Sequence, residues 1–324
     1  MKRRSLLRCA AGLAPLALPF AARAQARYPT RPIKLVVAFE PGGSTDLTGR
    51  LVGRKLDEIM GQPFIIENRA GAGSNIGSEY VAHAPADGYT LLMGTISAAV
   101  NMSLYRDLRF DLMKDFAPIT IVSKSPSILV VHPKLPIHSL QEFIAYAKAH
   151  PGKLNYASSG TGNTPHLAME MLKQRTGIDL VHVPYKGAGP ALRDEIAGTV
   201  DAGIVTALSA IPSIQAGQLR ALAVSSAKRM AVMPDIPTFG ELGVKNFEIT
   251  SWNGLYAPAG TSPAIVQAIN AAWVKAAQMP DLQKAFAEQA SVALSSTPEE
   301  LRAFTQQEIK TWGDIIESVH VEKI

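Results

Sequence analysis

The sequence predicts an α/β protein of two domains with two crossing strands as the hinge between them. Three observations carry that expectation. A strand–glycine turn–helix unit occurs in each half of the chain, at Ile33–Met60 and again at Leu154–Thr176. A long extended run, Phe116–Val131, separates the two. The chain has 324 residues, 47% hydrophobic and only 6% aromatic, which suits two α/β units with sizeable cores.

Residues 1–26 read as a secretory signal peptide. Lys2, Arg3, Arg4 and Arg8 precede an apolar run, and small residues at Ala22, Ala24 and Ala26 offer cleavage sites. Pro15 and Pro19 interrupt the run, which is short for a membrane span. Arg3-Arg4 also fits a twin-arginine signal, with Leu6 where Phe is usual, so the general secretory and twin-arginine routes both stay open. The expected location is the periplasm. Removing five of the 32 basic residues leaves 27 against 27 acidic ones, so the net charge of +5 belongs to the leader. No nucleic-acid partner is expected of a neutral mature chain. The single cysteine, Cys9, leaves too, and with it disulfide and thiol chemistry.

The first unit begins with the apolar strand Leu35–Phe39, broken by Glu40-Pro41-Gly42-Gly43. Ser44-Thr45-Asp46 then opens a helix to Met60. The first turn of a helix has unpaired backbone N–H groups and the positive end of the dipole, so it can hold an anion. The same residues would also serve simply as caps.

A second strand, Pro63–Glu67, leads to glycines at 71, 73 and 77. Their spacing is wrong for a dinucleotide site, because Ile76 occupies the third glycine position; a loop bringing a helix close to the sheet is expected instead. The third strand, Tyr89–Thr95, ends in hydroxyls at Thr95 and Ser97, on the carboxyl edge where α/β sheets bind ligands. Phe116–Val131, interrupted at Ser123-Lys124-Ser125-Pro126, is expected to cross into the second domain. Ser139 and Glu142 form a capping box on the next helix.

The second unit carries the loop Ser158-Ser159-Gly160-Thr161-Gly162-Asn163-Thr164, far more polar than a cap requires, with Pro165 at the helix start. Strands follow at Leu180–Tyr185, Asp201–Thr206 and Leu219–Ser225, the last expected to return the chain. The domains are thus expected at 27–124 plus 228–324 and at 125–227. The end of the chain, from Ser262, reads as helical.

The bond-breaking motifs are missing. The seven histidines form no HxH or HExxH pattern, no GxSxG elbow occurs, and SxxK at Ser225–Lys228 lacks its partner motifs. No metal, cofactor or catalytic residue is expected, and binding is favoured over catalysis. The rival reading is an exported hydrolase or transferase in the same cleft. It needs a base within reach of Ser158 or Ser159, and His166 is the nearest in sequence.

PGGSTD (41–46), ENRAGAGSNIG (67–77), ADGYTLL (86–92), YASSGTGNTPHL (156–167), VPYKGAGPAL (183–192) and WNGLYAPAG (252–260) resemble the Bug, or TctC-like, solute-binding proteins of tripartite tricarboxylate transporters. The resemblance implies a monomeric two-domain periplasmic binding protein of type II, a Venus flytrap. It would carry a small carboxylate to integral membrane subunits (TctA- and TctB-like). The family's ligand loops fall on Phe39, Gly42, Gly43, Ser44, Asp46, Thr95 and Ser97 of one jaw. On the other they fall on Ser158, Ser159, Gly160, Thr161, Gly162, Thr164 and His166, with Thr206 beside them. An orphan sensory receptor is the third reading.

Overall fold

The computed structural model describes residues 28–245, 247–288, 290–318 and 323–324. The signal-peptide reading of 1–26 lies outside them. The strands are β1 (Ile33–Val37), β2 (Phe64–Asn68), β3 (Thr90–Thr95), β4 (Phe116–Val131), β5 (Asn155–Ser158), β6 (Val181–Pro184), β7 (Ala202–Thr206), β8 (Arg220–Val224), β9 (Thr250–Pro258) and β10 (Val292–Ala293). The helices are α1 (Ser44–Met60), α2 (Asn75–Ala82), α3 (Ile96–Leu104), α4 (Leu140–Ala149), α5 (Thr164–Thr176), α6 (Ala188–Ala197), α7 (Ala207–Gln215), α8 (Pro263–Ala277), α9 (Pro280–Ala287) and α10 (Pro298–Ser318).

Two sheets share β4. In the first, β1 lies between β2 and β3, all parallel, and β9 joins β3 to β4 antiparallel. In the second, β4 pairs with β7 and β8, and β7 continues through β5 to β6. At about 3.3 Å per residue, 16 residues make β4 roughly 50 Å long, enough to serve both lobes. The strand does not stop at Ser123–Pro126 as its sequence suggests. Register shifts before Thr120 and Ser123 absorb the irregularity as bulges, and Pro126 still lies opposite Thr250.

The return crossing differs from the expected one. β8 pairs only with the second half of β4, and the chain beyond it stays on that lobe. Phe239 N–H donates to Val224 O at 3.0 Å and Ile249 N–H to Ser225 O at 3.2 Å. Residues 228–245 and 247–249 therefore belong with the second lobe, and the crossing is made by β9 at Thr250. A stretch of mixed polarity with no strand or helix period, such as 226–249, gives no sequence signal of where it packs.

One face of the first sheet is covered by α1, α8 and α9, through Leu56, Trp273 and Phe286 against Leu35, Val37 and Leu255. α2 lies tight on the same sheet as anticipated. A Cβ on Gly77 would come within 2.7 Å of the Ala38 side chain and 2.8 Å of Arg69 O, so only glycine permits that approach. Ser139 caps α4, accepting from Glu142 N–H at 3.2 Å, while Glu142 accepts from His138 N–H at 2.6 Å.

Candidate functional site

Four helices, α1, α3, α5 and α6, each follow a strand and turn their first turns to one cavity between the lobes, and Thr206, just before α7, joins them. Its wall includes Phe39, Gly43, Ser44 and Thr45 of the first jaw, with Thr95, Ile96 and Ser97 beside them. The second jaw supplies Ser158, Ser159, Asn163, Thr164 and Thr206. Counted to its mouth, the space holds about 690 Å³ free of atoms. Among the described residues no lysine, arginine or histidine lines it. What it can offer an anion is therefore helix N-termini and their unpaired N–H groups.

The lobes touch. Ser97 Oγ donates to Asn163 Oδ1 at 2.6 Å across the gap, and Asn163 Nδ2 donates to Ser159 Oγ at 3.0 Å. Thr95 caps α3, accepting from Ser97 N–H at 3.3 Å. That frees the Ser97 hydroxyl for the opposite lobe. Glycines permit the approach elsewhere: a Cβ on Gly189 would lie 2.7 Å from Pro41 O, and one on Gly162 would lie 1.9 Å from the Leu104 side chain.

Of the expected site residues, Phe39, Gly43, Ser44, Thr95, Ser97, Ser158, Ser159, Thr164 and Thr206 meet at this cavity. Six do not line it. Gly42, at φ +87°, has its N–H turned to Asp46. Asp46 is 2% exposed and holds the turn from behind. It accepts from Gly42 N–H at 3.0 Å, Asn68 Nδ2 at 3.0 Å and Arg50 Nε at 2.9 Å. Burial opposes its charge, but the bonds from Arg50, Gly42 and Asn68 outweigh that and hold the carboxyl below its ordinary range. Asn68 Nδ2 also donates to Phe39 O at 3.0 Å, so Asp46 positions the loop that reaches the cavity.

Gly160 and Thr161 line a neighbouring groove with Tyr185 and Lys186, and Gly162 is spent on the contact with α3. His166 is buried behind its loop, where Nδ1 accepts from Gly162 N–H at 3.0 Å. Its ring stacks on His182 with centroids 4.1 Å apart. Burial pushes both imidazoles down to about 4, so they are neutral at ordinary pH.

The base nearest Ser158 is therefore not His166. His182 Nε2 lies 2.6 Å from Ser158 Oγ. The same hydroxyl lies 3.1 Å from Gly160 O as donor and 3.2 Å from Gly160 N–H as acceptor. These bonds fix the loop, and an imidazole held near 4 is a weak base.

Sequence reasoning missed Asn253, Trp252 and one face of α6. Trp252 is fixed by its indole N–H, which donates to Glu308 Oε2 at 2.7 Å. On α6 the lining residues are Ala188, Ala191, Leu192 and Glu195, spaced as a single helical stripe. That stripe was the available signal: a carboxylate on an otherwise apolar face. Three polar atoms of the cavity wall, Thr164 Oγ1, Asn253 Oδ1 and Glu195 Oε2, are buried without a hydrogen-bond partner.

The sequence profile described as "Tripartite tricarboxylate transporter family receptor" (TctC) matches residues 48–321. BugT of Bordetella pertussis is 40% identical over 291 residues, 89% of each chain. A solved structure described as "R. palustris Rpa4515 with adipate" superposes with a TM-score of 0.89 at 35% identity. That match covers 92% of this chain and 100% of the other. MatC from Rhodopseudomonas palustris, solved with bound malate, superposes with a TM-score of 0.85 at 32% identity, covering 89% and 100%. Among the described residues no helix is long and apolar enough to cross a membrane.

Proposed function

The chain belongs to the TctC family of tripartite tricarboxylate transporter receptors, and from that premise we propose that it captures a small carboxylate between its lobes and delivers it to a membrane transporter from the periplasm. The observation that supports this most directly is the cavity wall itself. Several helix N-termini and a set of hydroxyls face one space that, among the described residues, contains no cationic side chain. Hydrogen bonds to a charged group contribute about 1.5–3 kcal/mol each. Micromolar affinity corresponds to about 8 kcal/mol. Three or four bonds from first-turn N–H groups and the hydroxyls of Ser44, Thr95 and Thr164 account for that. Such an arrangement releases its ligand more readily than a buried arginine clamp would. The relatives solved with adipate and with malate are consistent with dicarboxylates as the first class to try.

Isothermal calorimetry of the mature chain against di-, tri- and aromatic carboxylates tests the reading. Binding of at least one acid, one per monomer, is expected. A folded protein that gives no heat with any of them refutes it. The Ser158–His182 contact is the one feature that favours hydrolysis. Covalent labelling of Ser158 by an organophosphonate would establish that second reading; an unmodified serine is expected.

A further inference from the structure

Glu195 is the one ionisable side chain in the cavity wall among the described residues. It is 3% exposed, and its Oε2 has no hydrogen-bond partner. The carboxyl group lies over Gly203 of β7: a Cβ there would come 1.9 Å from Oε1. β7 thus leaves room for this acid by carrying no side chain at that point. Its neighbours in the wall, Ala157, Ala191, Leu192, Ile204 and Val205, are apolar. A polar group buried without a partner costs stability, and a bound molecule that supplies the partner recovers it.

We propose that Glu195 is a specificity-determining residue of the cleft. It presents a neutral carboxylic acid whose O–H donates to a second acceptor on the ligand, remote from the carboxylate held by the helix N-termini. The inference rests on the carboxylate reading above and narrows it to acids with a second carboxylate or carbonyl. Charge selects the neutral form. An ionised Glu195 in the same small, apolar-walled space as a bound anion would repel it, and nothing nearby compensates.

Burial agrees, pushing the Glu195 carboxyl up to about 8. The groups facing it from adjacent elements do not confuse its titration. Tyr185, on the β6–α6 loop, donates to Asp194 at 2.6 Å, and burial with that bond raises it to about 12. His182 and His166, behind β5, titrate near 4. Binding of a two-ended acid therefore depends on pH through Glu195 between about 7 and 9.

The test pairs acids of matched length, adipate with hexanoate and malate with butyrate, by calorimetry at pH 6.5 and pH 9. All are fully ionised across that window. Wild-type affinity for the better diacid is expected to fall about tenfold at pH 9, following a carboxyl that titrates near 8. The monoacid is expected to show no such fall. Glu195→Gln, which keeps a neutral donor, should bind the diacid within about threefold of wild type at pH 6.5 and lose the alkaline decline. Glu195→Leu should lose tenfold or more for the diacid alone. Diacid binding by Glu195→Leu equal to wild type overturns the assignment and leaves the carboxylate reading standing. Loss of diacid binding in Glu195→Gln as large as that in Glu195→Leu overturns the assignment too, because a neutral donor would then not be what the ligand meets. A folded wild-type protein that binds none of these acids, nor any other carboxylate, overturns both.

Discussion

Gly189→Ala separates closure from folding, because its two effects have opposite signs. Gly189 is the second residue of α6 and does not have positive φ, so alanine fits the backbone there. Within its own lobe the change replaces glycine by the best helix former, worth about 0.5–1 kcal/mol of added stability. Across the gap the new Cβ would lie 2.7 Å from Pro41 O and 3.5 Å from Gly43 N, both main-chain atoms. Neither can rotate away, so the jaws must part by some tenths of an ångström or shift locally. Inserting a methyl into a packed contact costs about 1–3 kcal/mol. If ligand is held only when the jaws meet, that cost appears in affinity, as about a 5- to 150-fold weaker Kd. The assay is calorimetry with the best-bound acid, beside thermal melting of the free protein. The expected pattern is a melting temperature equal to or above wild type with a weaker Kd. Unchanged affinity would refute the role of this contact in binding. A lowered melting temperature would show that the clash is felt in folding, and the closure argument would fail with it.

Other perturbations give sharp expectations. Ser97→Ala removes the 2.6 Å bond to Asn163 between the lobes and should weaken binding about 2- to 12-fold, as a neutral hydrogen bond of 0.5–1.5 kcal/mol implies, with the melting temperature nearly unchanged. Asp46→Ala, by contrast, should destabilise by about 3 kcal/mol in denaturant titrations at pH 7, because it strips a buried charge network. The wild-type carboxyl is depressed below 3.8, so its contribution is complete above that pH and is lost as pH falls through the folded value. The gap between mutant and wild type should therefore close in strong acid. His166 and His182 are depressed from 6.5 to about 4, so the unfolded chain binds more protons between those values. Unfolding free energy should decline as pH drops through that window, and His182→Gln should flatten the decline.

The individual strands and the cavity loops were legible because each rests on local chemistry. Strand-ending hydroxyls at Thr95 and Ser158, and helix starts at Ser44 and Thr164, announce themselves within a few residues. What could not be read is which of two equivalent roles a residue takes. Asp46 and Ser44 sit two apart on one helical turn, yet one faces the cavity and the other braces the turn through Asn68, a partner on another strand. His166 has the position of a ligand residue, but His182, sixteen places on and in β6, stacks against it and fixes it in the wall's backing. Such pairings are set by strand order, which spacing alone does not report.

The glycines make the same point in two ways, and together they bear on mechanism. Gly77 and Gly189 both lie in the first turn of a helix that follows a glycine-bearing loop, and that position alone does not distinguish them. Gly77 lets α2 settle on its own sheet, through Ala38 and Arg69. Gly189, with Gly187 and Gly162, lets one lobe meet the other at Pro41, Glu40 and Leu104. The first kind of contact persists whatever the lobes do. The second exists only when they come together, so its energy is available to ligand binding rather than to folding. A cavity without a cation needs that reserve. Its bonds to an anion are individually modest, and the added contact between glycine-lined surfaces excludes water that would otherwise screen them.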